Sequence, residues 1–207
     1  MKIIVDGKDE RETAPGGAGL GEVYAEVATR LYDGGRTVVG LSIDGRDLTD
    51  EEQDKLLAGE DVGGSTLELR TMETRTLACE TLSEVEKHCL VLREAIEMTV
   101  KLLGRGERPK ALEEFKPALE LWVAVFEAVI RTCTLVRVDN HEDLGGDTLG
   151  AGYARMVKVL NEVQTSLRGQ DWVKLADVLE YEVLPVLDQW QKLVGAIRAR
   201  LQGQRQA

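Results

Sequence analysis

The chain has 207 residues, of which 43% are hydrophobic and 30% charged, and a formal net charge of −11 at pH 7. These are the proportions of an ordinary folded protein, long enough for one large core or two small ones. No apolar run nears the ~20 residues that cross a bilayer, and no basic cluster offsets the acid, so neither a membrane nor a nucleic acid is an expected partner.

The acid is concentrated at the front, where residues 1–75 hold 17 Asp and Glu against 9 Lys and Arg, while the remainder holds 20 against 17. Met1-Lys-Ile-Ile-Val-Asp6 meets an acid too early for a signal peptide, which makes a cytoplasmic setting the expectation. Cys79, Cys89 and Cys133 form no CxxC pair and have no histidine at metal spacing, so they are expected to fill core gaps as reduced thiols.

Composition and periodicity change together near Arg75, dividing the chain into expected domains at 1–74 and 75–203 with a tail at 204–207. Met1-Lys-Ile-Ile-Val5 reads as a strand and Asp6-Gly7 as a hairpin turn, with a short partner strand expected at Glu10–Ala14. Pro15-Gly-Gly-Ala-Gly19 forces a loop. Leu20, Val23, Val27 and Leu31 then recur at helical spacing until Asp33-Gly-Gly35 stops the helix. Thr37–Ile43 is β-branched and strand-like, and Asp44-Gly45 turns it into Arg46-Asp-Leu48. Thr49 and Glu52 stand at the spacing of a capping box. Ser65–Arg70 alternates as a final strand.

With Met1-Lys-Ile-Ile-Val5, Leu41-Ser-Ile-Asp-Gly-Arg-Asp-Leu48 and Ser65-Thr-Leu-Glu-Leu-Arg70 in this order, the first third of the chain resembles the ubiquitin-like β-grasp. No Gly-Gly ends its last strand; Thr71-Met72-Glu73 runs on, and Gly63-Gly64 lies before the strand. The resemblance therefore implies a docking module rather than a conjugated modifier.

From Thr76 onward four segments each carry an apolar seam with steps of 3 and 4. The first runs Leu82, Val85, Cys89, Leu92, Ile96, Thr99, Leu103. The second runs Leu112, Phe115, Leu119, Trp122, Phe126, Val129, Cys133, Val136. The third runs Leu149, Tyr153, Met156, Leu160, Val163, Leu167, and the fourth Trp172, Ala176, Leu179, Val183, Val186, Trp190, Leu193, Ile197. Such seams suit helices crossing at about 20°. The expected fold is thus α+β, a small N-terminal β-grasp-like domain followed by an antiparallel four-helix bundle.

Punctuation agrees: Gly104-Arg-Gly106 ends the first helix and Pro109 opens the second. Asp147 is expected to cap the third helix, Gly169 to close it in a left-handed conformation, and Asp171 to cap the fourth. Arg198, Arg200 and Arg205 suit the negative end of the last helix dipole. Pro117 and Pro185 deprive the carbonyls of Glu113 and Tyr181 of their helical donors. Each is expected to kink its helix, or the second helix starts afresh near Lys116.

Chemistry is sparse. His88 adjoins Cys89, but neighbours in a helix point apart. Neither His88 nor His141 follows a Glu by three residues, as a di-iron bundle requires. Asp139–Gly145 has a calcium-loop look, yet Leu144 and Gly150 occupy positions that need Gly and Glu. Gly16–Gly21 precedes a helix without the Lys-Ser/Thr of a phosphate loop. No catalytic residue, cofactor or metal is expected.

What remains is one strip of the last helix, Asp177, Glu180, Tyr181, Leu184 and Asp188, flanked by Val173 and Val178. It is either the margin of a widened buried arc, a face covered by the β-grasp, or a partner-binding patch. As a patch, Tyr181 and Leu184 would anchor a basic or amphipathic protein segment and the carboxylates would select it. The expected function is a non-enzymatic cytoplasmic adaptor or chaperone-like binding module. In architecture and composition the bundle is similar to small bacterial helical export chaperones, including those of flagellar secretion. The alternatives are a metal-binding or enzymatic bundle using Glu120, Glu127, Asp177 and Glu180, and a structural homo-oligomer.

Overall fold

Two of the Asp-Gly dipeptides of the first third lie at positive φ: Asp6 at 49° with Gly7 at 75°, and Asp44 at 49° with Gly45 at 80°. Two successive left-handed residues make a type I′ turn, whose twist matches that of paired strands. Val5 therefore faces Lys8, and Ile43 faces Arg46, across two-residue loops. The computed structural model describes residues 2–10, 20–58 and 66–203. Its first elements are β1 (Lys2–Val5), β2 (Lys8–Glu10), α1 (Leu20–Asp33), β3 (Arg36–Ile43), β4 (Arg46–Asp47), α2 (Asp50–Leu57) and β5 (Thr66–Glu73).

The strands form one mixed sheet in the order β2-β1-β5-β3-β4, with β1 and β5 parallel and the other pairs antiparallel. Register aligns the apolar residues: Ile3 lies opposite Leu67 and Val5 opposite Leu69, while Leu41 and Ile43 meet Leu69 and Leu67 from the other side. Val23 and Val27 of α1 join these side chains, with Leu48, in one core. Because strand side chains alternate faces, this register puts all of them on the same side of the sheet.

Polar locks hold the edges of this unit. The Asp6 carboxylate accepts the Thr71 backbone N–H at 2.8 Å, the Thr71 hydroxyl at 2.7 Å and the Arg36 guanidinium at 2.9 Å. These donors, the Thr71 hydroxyl foremost, hold the Asp6 carboxyl below its ordinary pKa. At α2, the Thr49 N–H donates to Glu52 Oε2 at 2.9 Å and the Glu52 N–H donates to Thr49 Oγ1 at 3.3 Å, the reciprocal capping box the spacing implies.

The partner strand begins earlier than the sequence suggested. The two-residue turn pairs Val5 with Lys8 at once, so β2 already starts at Lys8 and its described part is Lys8–Glu10, while residues 11–14 of the expected Glu10–Ala14 strand lie outside the described residues. Residues 11–19, with the Pro15–Gly19 loop and most of the Gly16–Gly21 stretch, lie outside the described residues, as do Gly63-Gly64, Arg205 and the 204–207 tail.

β5 ends at Glu73 and α3 (Thr74–Gly104) starts at the next residue. α4 (Arg108–Leu135), α5 (Leu149–Arg168), α6 (Trp172–Val178) and α7 (Leu184–Gly203) follow, the last two joined by a π-helical turn at Leu179–Val183. The chain divides into two compact units, Met1–Leu77 and Ala78–Ala207. The second unit is built on a single continuous core to which α3 through α7 all contribute.

All seven seam residues of α3 from Leu82 to Leu103 are buried. Elsewhere the seams are rotated. In α5 the buried line is Leu149, Gly152, Met156, Val159, Val163 and Ser166, leaving Tyr153 exposed. The reason is close approach: a Cβ on Gly152 would lie 2.9 Å from Leu193 Cδ2 and 3.2 Å from Trp190 Cζ3. Glycine lets α5 and α7 meet there without displacing either side chain.

Several helix ends differ from expectation. Thr148, not Asp147, caps α5 by accepting the Ala151 N–H at 3.1 Å, while Asp147 binds Arg155 and the Thr148 N–H. Gly169 is right-handed at φ −76°; the left-handed residue is Gln170 at φ 52°. The Gln170 N–H donates to the Leu167 carbonyl and the Asp171 N–H to the Ser166 carbonyl, a Schellman closure one residue later than proposed. Arg198 and Arg200 serve as cross-element ion partners of Glu86 and Glu142, at 2.9 and 2.6 Å, as well as lying near the helix end.

Pro117 neither breaks α4 nor marks its start, since the helix is continuous from Arg108. Pro117 and Glu113 are both exposed, so water can satisfy the carbonyl that the proline leaves without a donor.

Candidate functional site

The last helical segment starts from Asp171, whose carboxylate accepts the Lys174 N–H at 3.0 Å. The sequence holds two apolar lines here. The regular one passes through Ala176, Leu179, Val183 and Val186; the other, Leu175, Leu179, Val183 and Leu187, has three successive steps of 4. The structure buries the second, leaving Ala176 and Val186 half-buried. Steps of 4 outrun the 3.6 residues of an α-turn, and the π turn at Leu179–Val183 absorbs the excess. The Leu184 N–H accordingly donates to the carbonyl of Leu179, five residues back. Pro185 follows directly on the exposed side, where its missing N–H already disfavours an ordinary bond to the Tyr181 carbonyl. This is a local widening rather than a break, and such turns recur at functional sites.

The distortion sorts the five candidate residues into different roles. Asp177 and Glu180 are exposed, and Tyr181 is 68% exposed. Val173, two turns before Tyr181, is 74% exposed. Leu184 is not an anchor on this surface: it is half-buried and packs on the helical core, because the extra residue of the π turn rotates it inward. Asp188 is ion-paired with Arg93 of α3, so its carboxylate ties two helices together. The surface that remains is Val173 and Tyr181 with Asp177 and Glu180 between them. Val173, named at first only as a flank, is part of it; its placement outside the 4-4-4 line was the available signal.

The aromatic residues of the seam are structural. Trp190 is buried and stacks on Phe126 with centroids 5.4 Å apart, and Phe126 meets Tyr153 at 5.1 Å. The Trp122 indole N–H donates to Met156 Sδ at 2.7 Å, and Arg108 lies 5.9 Å above the half-buried Trp172 ring.

The side chains considered for chemistry are dispersed. Glu120, Glu127, Asp177 and Glu180 are all exposed, and Glu127 pairs with Arg131 at 3.3 Å. Among the described residues no three His, Cys, Asp or Glu side chains gather as a metal site would need. Cys89 and Cys133 are free and buried, and burial pushes both thiols up to about 11, away from nucleophilic thiolate. His88 is exposed while Cys89 is buried, so the two do not form a dyad. In the 139–145 loop Asp139 accepts the His141 N–H and Asp143 accepts the Gly146 N–H, at 2.7 and 2.6 Å. Those carboxylates shape the turn itself. A cavity of 260 Å³ lies beside this loop, lined by Ile130, Cys133, Thr134, Val138 and Tyr153 among others. Among the described residues no helix is long and apolar enough to cross a membrane.

Fold and surface together define a two-unit α+β protein whose helical unit carries an exposed apolar and acidic face on a π-distorted helix. The chain belongs to the family described as a domain of unknown function, DUF8042, whose model matches residues 80–193. Residues 1–73 match the family model described as the TP0873 N-terminal domain. Neither the curated proteins nor the solved structures compared with the chain gave a match.

Proposed function

We propose that this protein is a non-enzymatic adaptor, chaperone-like in that its helical unit captures a segment of another protein. The observation that carries the reading is the pairing of two large exposed side chains, Val173 and Tyr181, with the carboxylates of Asp177 and Glu180 on one face of the π-distorted helix. Tyrosine is a frequent anchor of interfaces, and flanking acids favour a basic partner and speed its encounter. The N-terminal unit is read as a ubiquitin-like β-grasp serving as a docking module. The order β2-β1-β5-β3-β4, with β1 and β5 parallel and α1 between β2 and β3, supports that reading. The helical unit is read as an antiparallel four-helix bundle in which α6, the π turn and α7 act as one helix. The solvated state of Glu120, Glu127, Asp177 and Glu180 favours an adaptor over a carboxylate-based enzyme.

A photo-crosslinking amino acid in place of Tyr181, in the source cell, tests the reading. A discrete adduct to another protein is expected, and it should vanish with Asp177→Lys and Glu180→Lys while circular dichroism stays unchanged. No adduct, or one indifferent to the charge reversals, would rule out this face as the binding surface.

A further inference from the structure

The helix α3 carries more apolar surface than its core seam uses. One residue before each of Leu92, Ile96, Thr99 and Leu103 stands a second line, Val91, Ala95, Met98 and Leu102, with the same steps of 4, 3 and 4. The first line is buried, whereas in the second Val91 is 53% and Met98 47% exposed. Together with the opening turns of α4 this second line borders a groove of 610 Å³. The groove is an open trough, so a small molecule lying in it would leave much of its surface in water, unlike the enclosed pockets such ligands occupy. An elongated ligand suits it better.

The rim gives the charge of that ligand. Glu94, Glu113 and Glu114 line the groove, and among the described residues none of them sits in an ion pair. The single lysine on the rim, Lys110, is held by Glu107 at 2.6 Å, although its field also reaches Glu113. A second copy of the chain laid symmetrically on this groove would bring the same uncompensated carboxylates together, which like-charge repulsion opposes. A nucleic acid is opposed for the same reason.

We propose that the groove between α3 and the start of α4 docks a basic amphipathic helix of a partner protein. Its apolar stripe lies on Val91 and Met98, and its Lys or Arg residues face Glu94, Glu113 and Glu114. Helix-in-groove recognition uses anchors at i, i+3, i+4 and i+7, the periodicity of the receiving line. The flexible thioether of Met98 adapts to different apolar anchors. This surface is separate from the one around Tyr181, and the inference does not rest on it.

The test uses the full chain and two fluorescent synthetic helices of about five turns, roughly 18 residues, with the same leucine stripe and either lysine or glutamate elsewhere. Fluorescence anisotropy at physiological salt should show binding of the lysine peptide alone. Titration should shift the Met98 methyl resonance and leave that of buried Met156 in place. Replacing Glu94, Glu113 and Glu114 together by Gln, or Met98→Glu, should weaken binding about tenfold or more. Glu22→Gln, Glu26→Gln and Glu120→Gln together remove as much charge from exposed sites elsewhere and should change it less than about threefold. Tyr181→Ala should leave it unchanged. Failure of the lysine peptide to bind overturns the proposal. So does equal weakening by the two charge sets, which means unspecific attraction. A concentration-dependent dimer that Met98→Glu dissociates also overturns it, since a second copy then covers the groove.

Discussion

The two units of this protein secure their folds by different means. Among the described residues the sheet unit centres on nine buried apolar side chains, Ile3 to Leu69, and leans on local backbone chemistry: two Asp-Gly turns at positive φ, a capping box and the Asp6–Thr71–Arg36 lock. Among its described residues the helical unit buries thirty and relies on how its helices meet, with Gly152 against Leu193 and Trp190 and a π turn that brings Leu187 inward. A small core leaves less stabilisation to spare, so short-range hydrogen bonds carry more weight there. A large core can overrule local preference, even to the point of inserting an extra residue into a helical turn.

Equal truncations should sharpen this contrast most. Leu92→Ala and Leu69→Ala each remove a fully buried leucine and should each cost about 3 kcal/mol, within the range for such changes. The helical unit should survive with a lowered Tm, read from the tryptophans, all three of which lie in it. The sheet unit should instead lose amide-exchange protection throughout.

Next in size is Gly152→Val. The added side chain falls where Leu193 and Trp190 already are, and forced repacking typically costs ~1–3 kcal/mol. Tryptophan-monitored denaturation should register it as a lower midpoint. An unchanged midpoint would mean that close approach of α5 and α7 is not what places the buried line of α5.

Removing the cap should come third. Thr49→Ala is expected to cost the sheet unit ~1 kcal/mol and the helical unit nothing, as measured by amide exchange in each. The cap also has a pH signature. The Arg46 guanidinium, then the Thr49 N–H, hold the Glu52 carboxyl at about 2 against 4.5 ordinarily. A depressed carboxylate stabilises the folded state above its unfolded pKa and ceases to do so as pH falls through the folded one. Glu52 therefore contributes above pH 4.5, and its contribution fades between 4.5 and 2. Glu52→Gln should flatten that part of the acid limb, modestly because the pair is exposed to solvent.

The smallest effect on stability is expected at the candidate surface. Val173→Ala with Tyr181→Ala should shift the denaturation midpoint by less than ~0.5 kcal/mol, as substitutions at exposed positions do. Leu184→Ala should cost more, measured the same way, because that side chain packs on the core. If the two exposed positions prove as costly as Leu184, the surface is part of the fold and not available to a partner.

Of the candidate strip, only part was legible in the chain. Equal spacing grouped Asp177, Glu180, Tyr181, Leu184 and Asp188, yet spacing assumes one turn length throughout the helix. The sequence also held Leu175, Leu179, Val183 and Leu187, and nothing local ranked that line above Ala176 and Val186. Likewise Tyr153 outranks Gly152 as a core residue on hydrophobicity alone, and Asp147 matches Thr148 as a cap.

What the sequence by itself determined are the features governed by a few neighbouring atoms: the Asp6-Gly7 and Asp44-Gly45 turns, the Thr49–Glu52 box and the Asp171 cap. Steric limits on φ and hydrogen-bond reach act over three or four residues, and these signals are complete within that window. Only tertiary structure decided the π turn, the inward rotation of Leu184, the engagement of Asp188 by Arg93 and the close contact at Gly152. Each depends on which helix lies alongside and how near it comes. A face is buried or exposed by its neighbours, and the chain does not name them in its own order.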